Sequence, residues 1–176
     1  MTLLLTLMVL AAPETEQAAT QSAASATVGS VRGMTDVVKG WLTKAAAQVP
    51  EEHYAFRPTP EVRSMGEVLA HVADSNLLIC GMVSGQTPPI TDVARTRKTK
   101  AELSDALAVS FKFCDEAFDG LTDARANEVI KFFIAGTHTR LGVLAYNAAH
   151  DFEHYGNIVT YMRLKGMVPP SSAGGM

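Results

Sequence analysis

Apolar positions recur at three- and four-residue spacing in four stretches of the chain, the period of amphipathic helices. The first carries Val31, Met34, Val37, Val38, Trp41, Leu42, Ala45 and Val49 and stops at Pro50. Residues 51–63 contain Pro58 and Pro60 and read as an ordered loop. Ser64 with Glu67 forms a capping box, which opens a second helix through Met65, Val68, Leu69, Val72, Ile79 and Val83 to about Gly85. Residues 85–98 read as a loop with Pro88-Pro89 and several basic side chains. Thr99 with Glu102 is a second capping box, followed by Leu103, Leu107, Phe111, Cys114, Phe118 and Leu121. Residues 122–138 read as irregular, with an extended piece over Val129 to Ile134. The fourth helix is predicted from about Thr139 to Lys165, with Gly166 as its cap and Pro169-Pro170 blocking continuation.

Four such helices predict an all-α four-helix bundle. The connection over 85–98 is long for a plain antiparallel turn. Extended, it reaches ~46 Å, against roughly 31 Å for a 21-residue helix. It has the length to return along the bundle and leave helices two and three parallel.

The chain start follows another pattern. Leu3 to Ala12 holds nine apolar residues in ten. That is too short for a bilayer-spanning helix, which needs about 20 residues, and it reads as the core of a secretory signal, although no Lys or Arg precedes it. Residues 13–30 are rich in Ala, Ser, Thr and Gln and read as a solvated linker. The expected organisation is therefore a signal and linker over 1–30, a folded domain over 31–170 and a flexible tail over 171–176. A periplasmic or secreted location follows from the signal, with no stable membrane insertion once it is removed; without it the protein would be cytoplasmic.

Composition removes some functions. The 176-residue chain has 15 Lys and Arg against 18 Asp and Glu, a formal charge of −3. Nucleic-acid binding needs surplus cations for phosphates, and the four cations Arg95, Arg97, Lys98 and Lys100 have no aromatic residues among them for base stacking. No nucleic-acid partner is expected.

The histidines carry the candidate chemistry. His150 and His154 are four apart on the last helix and so share one face, where two neutral imidazoles can bind one transition metal. Asn147, Asn157 and Tyr161 fall on nearly the same face, a polar stripe that needs partners if it packs into a bundle. A third ligand is required. His71, inside the second helix, is the best candidate, although by itself such a residue is more often a hydrogen-bonded core histidine. His53 and His138 read as surface residues. The segment His150-Asp-Phe-Glu-His154 also fits the H-x-x-E-H pattern of inverted zinc proteases, with Glu153 as base, but no Glu follows residue 154 to complete that ligand set.

The run from His150 through His154, Gly156, Tyr161, Arg163 and Gly166 to Pro169-Pro170 resembles the last helix of the DinB-like family. Arg57-Pro58-Thr-Pro60-Glu-Val-Arg-Ser64 followed by Leu69-Ala-His71 is similar to the same family. The resemblance spans about residues 31–172. It implies a four-helix bundle in up-down-down-up order holding a divalent metal, with ligands matching His71, His150 and His154. It also implies a homodimer, and a metal-dependent reaction on a small-molecule substrate, as in thiol-dependent relatives such as mycothiol-dependent maleylpyruvate isomerases and bacillithiol transferases. Zinc and nickel both suit three imidazoles, and an open coordination position suits hydrolysis or thiol transfer. The alternative is a metal-binding or interaction protein without enzymatic activity. The catalytic residues stay unassigned.

Two cysteines remain. Cys80 is 16 residues past Ser64 and Cys114 is 15 past Thr99. Parallel helices with aligned starts would bring them within about 1.5 Å axially, allowing a disulfide in an exported protein. Two buried thiols are the other reading. Cys80 lies nine helical steps from His71, about 180° around the helix, and is not a candidate ligand.

Overall fold

The computed structural model describes residues 14–134 and 136–173, with side-chain surroundings from residue 26 onward. The elements run α1 (Glu14–Gln48), a 3-10 turn (Glu51–His53), α2 (Met65–Ser84), α3 (Val93–Thr96), α4 (Lys100–Asp119) and α5 (Asp123–Ala126). They continue with β1 (Val129–Phe132), β2 (Gly136–Thr139), α6 (Arg140–Leu164) and α7 (Pro170–Ala173). The chain is thus mostly helical, with one small antiparallel hairpin. Among the described residues, no helix is long and apolar enough to cross a membrane.

Local chemistry sets the helix ends. Both capping boxes form: Ser64 accepts from the Glu67 amide and Thr99 from the Glu102 amide, each carboxylate reaching back to its cap. Thr139 caps α6 through the Gly142 amide. Gly85 and Gly166 sit at φ 77° and 72°, the left-handed conformation that ends a helix and that a side chain disfavours.

Contacts along the long helices give their relative directions. Asn76 meets Ser110, and four residues later on both helices Cys80 is bonded to Cys114. Partners on α2 and α4 therefore advance together. Partners on α2 and α6 run oppositely, from His71 with His150 to Asn76 with Asn147 to Val83 with Arg140. Arg32 with Asp119 and Lys39 with Asp115 set α1 against α4 in the opposite sense. The apolar faces meet in one core that includes Leu42, Leu69, Ile79, Leu107, Leu144, Ile158 and Met162. Of the predicted α1 face, Val38, Leu42, Ala45 and Val49 are buried, whereas Met34 and Val37 are exposed.

The connection after Gly85 is fastened to α2. Asp74 accepts from the backbone amides of Val93 and Ala94 at 2.8 and 2.9 Å. At Gly81 an added Cβ would stand 3.2 Å from the Gln86 carbonyl oxygen, so the returning chain lies directly on the helix.

Four expectations change. Residues 14–30, read as a linker, are the first half of α1. Their Ala, Gln and Glu favour helix without needing an apolar stripe, and a packed helix beyond residue 31 already supplies the nucleus. Within that stretch, residues 26, 27, 29 and 30 are exposed, and the first buried side chain is Val31. The loop over 85–98 contains α3. The region 122–138 contains α5 and two paired strands where one extended piece was expected; Val129 faces Thr139 and Phe132 faces Gly136. The tail is tied down as α7, where Ser171 exchanges hydrogen bonds with the Tyr155 hydroxyl and Arg163 donates to Ser172. Residues 1–13, with the apolar run, and 174–176 lie outside the described residues.

Candidate metal centre

Helix α2 presents His71 and α6 presents His150 and His154 across one seam. The i,i+4 spacing on α6 sets its two rings edge to face with centroids 4.4 Å apart. The opposed direction of α2 brings His71 against both, at 5.0 and 4.7 Å. The ring nitrogens converge: His150 Nε2 lies 3.1 Å from His71 Nε2 and 3.0 Å from His154 Nε2, and one ligand nitrogen from each histidine falls within 4.8 Å of the others. All three residues predicted from sequence thus stand together. His53 is half-buried in the 3-10 turn and His138 is exposed on β2, both apart from this cluster.

Protonation favours ligation. Asn157 Oδ1 lies 3.1 Å from His154 Nδ1, and an amide oxygen only accepts, so Nδ1 carries the proton and the Nε2 lone pair faces the cluster. Burial, reinforced by the Arg63 charge and by the other two imidazoles, pushes the His71 pKa down to about 4. Burial also lowers His154, against the opposing hydrogen bond that His154 donates to Asn157. Both rings are therefore neutral at pH 7. Two nitrogens sharing a metal at 2.0–2.1 Å stand about 2.8–3.4 Å apart for bond angles between 90° and tetrahedral. The observed 3.0 and 3.1 Å separations fit that range. Nitrogen lone pairs this close repel one another unless a proton or a cation lies between them.

Residues 38–158 match the family model described as the DinB superfamily. The chain belongs to the DinB superfamily. Solved structures agree on the fold. A DinB-like protein from Bacillus cereus ATCC 10987 is 17% identical with a TM-score of 0.68, covering 76% of this chain and 89% of its own. A DinB-like protein from Bacillus subtilis is 18% identical with a TM-score of 0.62, covering 78% and 93%. A conserved protein from Enterococcus faecalis is 19% identical, also with a TM-score of 0.62, covering 77% and 95%. No curated protein matches the chain.

In this DinB superfamily protein the histidine cluster adjoins a buried polar layer, and His154 also lines an open groove. In the buried layer Asn76 has two alternative amide orientations: in one its Oδ1 accepts from Asn147 Nδ2 at 2.7 Å, and in the other that bond is replaced by donation from its nitrogen to Asp151 at 3.3 Å. Asp151 is fully buried, and that burial pushes its pKa up to about 6, against the pull of His150 and Asn76. The His150 Nδ1 is buried without a hydrogen-bond partner and stands 3.9 Å from Asp151 Oδ1, beyond hydrogen-bond reach. On the other side, a groove of about 550 Å³ is lined by Glu61, Val62, Arg63, Val68, Glu153, His154, Asn157 and Tyr161.

Sequence reasoning found the three histidines and the polar residues Asn147, Asn157 and Tyr161. It missed Asn76 and Asp151, because a single Asn or Asp in a helix reads as solvated. It also missed the placement of Arg63, which precedes the α2 cap and has no periodic pattern around it.

Proposed function

We propose that His71, His150 and His154 hold one divalent metal ion and that the protein uses it in a reaction on a small molecule entering the adjoining groove. The observation that carries this reading is the convergence of three imidazole nitrogens with His154 locked in the ligating tautomer by Asn157. A bound metal would supply an acidified water or thiolate at neutral pH, which serves hydrolysis or thiol transfer. Imidazole donors suit zinc and nickel alike. The protein's own part is to orient the ligands: Asn157 holds the His154 ring, and the Tyr161 hydroxyl, donating to the Arg63 carbonyl at 2.9 Å, ties α6 to the start of α2. The groove beside His154 favours a small-molecule enzyme over a metal-binding protein without a substrate site.

The contact directions support a four-helix bundle of α1, α2, α4 and α6 in up-down-down-up order. The bond between Cys80 and Cys114 supports an oxidising location such as the periplasm or the exterior.

Metal analysis of protein purified without a histidine tag tests the reading. About one divalent ion per chain is expected, and a His150→Ala, His154→Ala double variant should lose it. Stoichiometric retention by that variant would overturn the site. Turnover of ester, amide and thiol-acceptor panels with and without chelator then separates enzyme from binding protein.

A further inference from the structure

The groove contains a cation with no internal partner. Arg63 is the residue before the α2 cap, and its backbone is held on two sides. Its carbonyl accepts from Tyr161 on α6, and the next residue, Ser64, is locked into the capping box. The side chain lines the groove together with His154, Asn157 and Val68. Among the described residues, its guanidinium makes no hydrogen bond or ion pair. Other arginines behave differently: one Arg57 nitrogen donates to both Glu67 oxygens, and Arg140, at the far end of α2, is paired with Glu128. Arg63 is exposed, its backbone is held, and its uncommitted guanidinium is free to pair with an anion that enters the groove beside His154.

We infer that Arg63 anchors the carboxylate of a small anionic substrate whose other end lies toward the three histidines. The inference rests on the metal reading above. The groove's charges narrow the ligand class. Arg63 against Glu61 and Glu153 leaves the empty groove with one net negative charge, and a divalent ion reverses it to one positive. Anion binding therefore requires the metal to be in place. Inorganic phosphate has no hydrocarbon to lay against Val62 and Val68, so the lining suits an organic carboxylate better. Val62 and Val68 supply the apolar wall for a short hydrocarbon segment, and about 550 Å³ is room for a molecule of that size.

The test uses the full chain loaded with cobalt(II), whose visible absorption reports changes around the metal. Butyrate is the probe, with butyramide as its uncharged counterpart and inorganic phosphate as the competing anion. Saturable spectral change with butyrate, little with butyramide and weaker binding of phosphate are expected. Arg63→Gln should weaken butyrate at least about tenfold with cobalt stoichiometry unchanged, and Arg63→Lys should recover part of that loss. Metal-free protein should not bind butyrate in equilibrium dialysis. Loaded protein that ignores butyrate, binds butyramide or phosphate as well, or is unaffected by Arg63→Gln overturns the anchor alone. Failure to take up cobalt overturns the metal reading, and the anchor with it.

Discussion

Helix α2 faces two neighbours in different ways. Towards α4 it is closed: Cys80 and Cys114 are covalently joined, and the surrounding Leu69, Ile79, Leu107 and Phe111 are buried in the core. Towards α6 the same helix presents Asn76 and His71 to Asn147, His150 and His154, and the seam ends at an open groove. Apolar contact tolerates small sliding of side chains, whereas metal ligation depends on placement to within about 0.5 Å. The closed side fixes the helix, and the polar side uses that rigidity to hold His71 against the two imidazoles of another helix.

If that division is right, the two sides should fail differently. The largest expected effect is on stability. Cys80→Ser with Cys114→Ser removes a bond spanning 34 residues of sequence, a loss of about 4 kcal/mol from loop-closure entropy. Denaturant unfolding measures it, and metal stoichiometry below the transition should be unchanged. His71→Ala should do the reverse: metal affinity falls by more than about a hundredfold, since a ligand outweighs its outer partners, while the metal-free unfolding midpoint moves little. Competition with a chromophoric chelator reads that loss. Asn157→Ala frees the His154 ring and should lower affinity about tenfold, near the lower end for such partners because Asn157 is exposed. Ser64→Ala removes the α2 cap next to Arg63 and should cost about 1 kcal/mol without touching the ligands.

Acid offers a smaller test of the same contrast. His71 titrates near 4 when folded, against an ordinary 6.5 in the unfolded chain. Between those values the unfolded chain binds the proton and the folded protein does not, so metal-free stability falls as pH drops from 6.5 towards 4. His71→Ala should flatten that part of the pH profile, whereas the cysteine variant should keep its slope. An unchanged slope in His71→Ala would show that the buried imidazole is not its source.

Much of the fold is legible in short windows of sequence. Both capping boxes, the Gly85 and Gly166 ends and the four long helices depend on residues within one or two turns of each other. The His150–His154 pair is legible for the same reason. The second strand is not, because Gly136–Thr139 is too short to show a period and exists by pairing with Val129–Phe132. The helical start of α1 escapes notice because an Ala-rich stretch without an apolar face looks like a linker until a packed helix extends into it. Asp151 looks like a surface acid, and only the approach of α2 buries it beside Asn76.

The sequence by itself determined where α2, α4 and α6 start and stop and that two imidazoles share one face of α6, since these follow from covalent spacing. Tertiary structure decided which faces meet. It brought His71 from 79 residues away onto that pair. It resolved Cys80 and Cys114 as a bonded pair in place of two separate thiols. It also turned the residue before a helix cap, Arg63, into one wall of a groove. Each of these depends on the relative direction and depth of packed helices, which no local window of residues encodes.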